Sequence, residues 1–86
     1  MHLITLTLLD SEVRGVDPER ITEILRASAE PADRIEHLRT LGGPDRYELA
    51  VFLLADTASQ ARTTARQFCE RAIATDPALR NHRLAP

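Results

Sequence analysis

The stretch "DRIEHLRTLGG", Asp33 to Gly43, decides between two folds. Ile35, Leu38 and Leu41 recur every third residue, as along one side of a helix, yet the Gly42-Gly43-Pro44-Asp45 that follows is the composition of a hairpin turn. Read as a strand, the segment places Glu36, His37, Arg39 and Thr40 where a sheet edge needs polar groups to resist stray pairing. The strand is the reading adopted, and its neighbours decide the matter. After the turn, "RYELAVFLLA", Arg46 to Ala55, is apolar on both faces over its second half, as a central strand is.

Working outward, "LITLTLL", Leu3 to Leu9, is a short β-branched-rich run closed by Asp10 and Ser11, a second central strand. Asp17 followed by Pro18 predicts a helix start, with the aspartate as N-cap and proline at the first helical position. Ile21, Ile24, Leu25 and Ser28 then form one narrow apolar face, and Pro31 ends the helix. Thr57-Ala58-Ser59-Gln60 has the capping-box pattern, followed by a stripe of Ala61, Ala65, Phe68, Cys69 and Ala72, with Arg62, Arg66 and Glu70 facing water. That helix ends before Pro77, and Arg80 to Ala85 is a short, weak strand.

The order strand, helix, strand, strand, helix, tail resembles the ferredoxin-like split βαββαβ arrangement. The resemblance implies an α+β sandwich: an antiparallel sheet, strands one and three central, two helices on one face. Residues 1–86 form a single domain, with 76–86 as a short last strand or tail.

At 86 residues, 43% hydrophobic and 28% charged, the composition is that of a small globular domain whose modest core gains from association. A formal net charge of -2, with both signs spread along the chain, gives no basic footprint for nucleic acid or anionic lipid. All eleven basic residues are arginine, a coding bias that points to a GC-rich bacterial, actinobacterial genome. The single cysteine cannot form an internal disulfide, no secretory leader pattern opens the chain, and the longest apolar run falls far short of the about 20 residues a spanning helix needs. A cytoplasmic protein with no membrane partner is expected.

Because both crossovers are right-handed, both helices cover the same side of the sheet. If they cover Ile4, Leu6 and Leu8 with Leu49, Val51 and Leu53, strand alternation turns Leu3, Leu9, Ala50, Phe52 and Leu54 outward as one patch. Covering such a patch contributes on the order of 10 kcal/mol before association entropy is subtracted, enough for a homodimer. The expected protein is thus a non-catalytic interaction or adaptor module, pairing with itself or with another protein of the same pathway.

Two other readings rest on particular residues. The loop from Asp10 to Val16 lies before a helix N-terminus, and "LITLTLLD", Gly15, the amphipathic helix, "IEHLRT" and "YELAVFLLA" together resemble the ACT-type small-molecule-binding regulatory domains. That resemblance implies an amino-acid sensor with its effector at Asp10, Arg14 and Gly15. The alternative is an enzyme similar to dimeric α+β barrel cyclases or monooxygenases, with His37 or Tyr47 moving protons in a cavity between sheet and helices. No nucleophile elbow, phosphate loop or nucleotide fingerprint is present, so no catalytic residue or cofactor is assigned. His2, His37 and His82 are too scattered for one element to ligate a metal, and Cys69 lies on a core stripe.

Overall fold

A computed structural model describes residues 1–10, 16–43 and 46–86, without the side chain of Asp10. Its elements are β1 (His2–Asp10), α1 (Pro18–Ser28), β2 (Ile35–Gly42), β3 (Arg46–Leu53), α2 (Ala58–Thr75) and β4 (His82–Leu84), with short 3-10 turns at Pro31–Asp33 and Pro77–Leu79. The strands form one antiparallel sheet in the order β2-β3-β1-β4. This is the ferredoxin-like α+β sandwich, with the two most apolar strands in the middle.

The segment from Ile35 is a strand because its residues divide between two faces: Leu38 is buried and Thr40 half-buried, while His37, Arg39 and Leu41 stay exposed. The three-residue apolar spacing that mimics a helix is split by this alternation, and a bulge between Ile35 and His37 shifts the first of the three. Arg34 turns the chain into β2 in a left-handed conformation, φ 56°, held by its carbonyl accepting from the Leu54 N–H at 3.0 Å. That bond lies just past β3, which ends at Leu53 and not at Ala55.

The helix starts follow their capping residues. The Asp17 carboxylate accepts from the Glu19 N–H at 2.9 Å, and the Thr57 hydroxyl from the Gln60 N–H at 3.1 Å. The Gln60 side chain reaches back to the Asp56 N–H, one residue short of a full capping box. Arg66 is less exposed than helical periodicity suggests, since it donates to the Ala85 carbonyl at 3.0 Å and thereby fixes the tail beside α2. The tail adds at the sheet edge through β4.

Even-numbered residues of β1 and odd-numbered residues of β3 face the helices, where Ile4, Leu6, Leu8, Tyr47, Leu49, Val51 and Leu53 meet Ile21, Ile24 and Leu25 of α1 and Phe68 of α2. Ala61, Ala65 and Ala72 let α2 lie close to the sheet. Arg71 fastens α2 to the end of α1, donating to the Ser28 carbonyl at 3.1 Å and to the Asp33 carboxylate.

At the other end of α1, β2 passes so near that a Cβ on Gly42 would lie 2.7 Å from Cγ of Pro18. A proline ring cannot swing aside. Gly42→Ala is therefore expected to destabilise by about 1–3 kcal/mol through overpacking, lowering the melting temperature by roughly 5–20 °C in calorimetry.

Candidate functional site

The sheet face opposite the helices carries the residues with the most chemistry left over. Strand register arranges them in rows across β2, β3 and β1: His37, Phe52, Leu3; then Arg39, Ala50, Thr5; then Leu41, Glu48, Thr7. At the far end Leu9 lies between Arg46 and Arg83, supplied by β3 and β4. The first row is apolar and aromatic, with the His37 and Phe52 rings 5.8 Å apart and tilted by 50°. Leu3 is 54% exposed and Leu41 56% exposed.

The five outward-facing residues expected from alternation do not form one uninterrupted patch. Leu3, Ala50 and Phe52 adjoin one another, but the Thr7 hydroxyl donates to the Glu48 carboxylate at 3.0 Å across the middle of the face and separates them from Leu9. Leu54, half-buried beyond the end of β3, borders a polar surface concavity of about 330 Å³ at the start of α2. Folding also gathers charge that is dispersed in sequence: Arg39, Arg46 and Arg83 share this face with the Glu48 carboxylate. The apolar row thus has a charged margin on one side.

Of the effector-site residues, Arg14 and Gly15 lie outside the described residues, as does the side chain of Asp10. The N-terminus of α1 is already capped by Asp17.

Tyr47, the candidate proton carrier on β3, is buried and fully engaged. Its hydroxyl donates to the Val16 carbonyl at 2.6 Å and accepts from the Val16 N–H at 2.7 Å. This clasp holds the chain just before α1. His37 stands at the sheet edge, bordering an outer groove between α1 and β2. His82 is buried in β4 with its ring 5.9 Å from that of Tyr47. The Cys69 thiol, fully buried on α2, is pushed up to about 12 by burial, which leaves no appreciable thiolate at neutral pH. No group of three metal-ligating side chains occurs among the described residues, and no described helix is long and apolar enough to cross a membrane.

No family model, curated protein or solved structure matches this chain.

Proposed function

We propose that the chain is a non-catalytic interaction module, an adaptor whose open sheet face closes against a second copy of itself. The observation that carries this reading is the row of exposed Leu3 and half-buried Phe52, with half-buried Ala50 alongside, on a face that neither described helix covers. Strands spaced at about 4.8 Å and rising about 3.3 Å per residue give that face roughly 500 Å², so two copies remove about 1,000 Å² from water. That lies at the lower bound for a specific contact.

A two-fold axis parallel to the strands lays β1 of one copy over β3 of the other. Leu3 then meets Phe52 twice, forming an apolar end to the contact, and the arginines gather at its opposite end. Because Leu3 is exposed, a charge there costs the single chain little, but in the pair it is desolvated against an aromatic ring. Leu3→Glu is expected to weaken this contact at least about 100-fold, the size of an anchor residue made twice by the two-fold, and to lower the mass found by sedimentation equilibrium. A monomeric wild type at high micromolar concentration, or a mass unchanged by the substitution, overturns the reading.

A further inference from the structure

The sheet has two edges of different character. β4 is three residues long, and the chain after it is held by Thr7 and Arg66 at Ala85, so it offers little backbone. β2 is eight residues long and no described strand lies on its outer side. The hairpin fixes which of its backbone groups point outward. Gly43 N–H donates to the Arg46 carbonyl at 2.8 Å, and hydrogen-bonded pairs alternate along an antiparallel ladder. His37, Arg39 and Leu41 therefore bond to β3, while Leu38, Thr40 and Gly42 turn N–H and C=O away from it. Exposed edges are commonly guarded by proline, charged side chains or a bulge; here the bulge guards the beginning of β2, and beyond it Arg39 is the one charged side chain along the strand.

A groove of about 630 Å³ follows this edge, walled on the helix side by Glu19, Thr22, Glu23 and Arg26. These occur at i, i+3, i+4 and i+7, a single stripe of α1 with an acid at one end and a base at the other. Reversed, the stripe sets Glu19 against Arg26 at both ends, while Glu23 near its middle is held by Arg20 of its own helix at 3.6 Å. The Thr22 hydroxyl, near its centre, is hydrogen-bonded to the Thr40 hydroxyl at 2.7 Å, which sets the midpoint of the stripe level with Thr40 of β2.

We propose that β2 pairs antiparallel with β2 of a second copy about a two-fold axis through Thr40. This contact uses a different surface from the open face and does not depend on it. Thr40 then lies opposite Thr40, Leu38 opposite Gly42 and Arg39 opposite Leu41, so no like charges face each other, and the outward groups form about six backbone hydrogen bonds. The two α1 helices run antiparallel, with Glu19 of each copy facing Arg26 of the other.

The spacing accommodates both layers. Two helices about 10 Å apart, centred over four strands at about 4.8 Å, set the α1 axis about 2 Å inside β2, which leaves roughly 9 Å between the two α1 axes across the junction, an ordinary helix–helix distance. The result is one sheet of twice the width with all helices on one side.

Amide hydrogen exchange as a function of protein concentration tests this. Pairing slows exchange of the Leu38 and Thr40 amides by about tenfold or more from low to high micromolar concentration; the face contact leaves them unchanged. Arg26→Glu sets acid against acid twice and is expected to reduce that protection about tenfold, and Glu19→Arg combined with Arg26→Glu restores it. Both positions are exposed, so circular dichroism should show each variant folded. Amides that exchange equally fast at every concentration, or protection indifferent to Arg26→Glu, overturn the proposal. Leu3→Glu leaves the protection intact, so failure at the edge is distinguishable from failure at the face.

Discussion

Tyr47→Phe is expected to destabilise the chain by about 2–4 kcal/mol while leaving its packing unchanged. Phenylalanine fills the same space on β3, so the loss isolates the hydroxyl. That hydroxyl satisfies both the N–H and the C=O of Val16, at 2.7 and 2.6 Å, and its removal leaves a donor and an acceptor half-buried without their partner. An unsatisfied buried polar group costs about 1–3 kcal/mol, less where water can reach it. For a domain of this length the melting temperature should fall by roughly 10–20 °C. The Val16 amide should exchange faster than its neighbours in α1, because Tyr47 fixes the approach to that helix. A melting temperature within about 2 °C of wild type would mean that water replaces the clasp at no cost.

The largest loss is expected from Phe68→Ala, about 3–5 kcal/mol by urea unfolding. Phe68 is fully buried on α2 and has the greatest volume among the fully buried side chains. Its helical neighbours facing the sheet, Ala61, Ala65 and Ala72, are too short to collapse into the space it leaves. Native stability of roughly 0.05–0.15 kcal/mol per residue puts the total at about 4–13 kcal/mol for this length, so the loss is about a quarter of it or more and the urea midpoint should fall in proportion. Phe68→Leu retains most of the volume and should lose markedly less. Equal losses from the two substitutions would place the cause outside the cavity.

Features set by local periodicity were legible in the sequence. The Asp17 cap, the buried stripe of α2 and the inward set of β1 and β3 each follow from spacings of a few residues, and each is realised in the structure. Asp33 to Gly43 was ambiguous for a physical reason: Leu38 turns inward, Leu41 outward, and the bulge displaces Ile35, so their regular spacing belongs to no single face.

The features that lock the layers together were not legible. Tyr47 meets Val16 across 31 residues, and Arg71 meets Asp33 across 38. Nothing near Tyr47 in sequence identifies its partner, and Arg71 has the surroundings of an ordinary solvated helix arginine. The composition of the open face was hidden in the same way. Arg39, Arg46 and Arg83 stand on three strands, and the register that brings them to one side also sets Thr7 against Glu48, dividing a patch that alternation alone makes continuous.

The strand order also governs what happens during synthesis. Among the described strands β1 pairs with β3 and β4, both encoded downstream of it, so this apolar segment is translated before its partners and stays unpaired until Arg46–Leu53 follows. At about 5–20 residues per second this interval lasts a few seconds, during which a nascent β-branched strand is open to aggregation or chaperone capture. The yield of folded chain should therefore depend on translation speed between β1 and β3 more than on codon choice within α2.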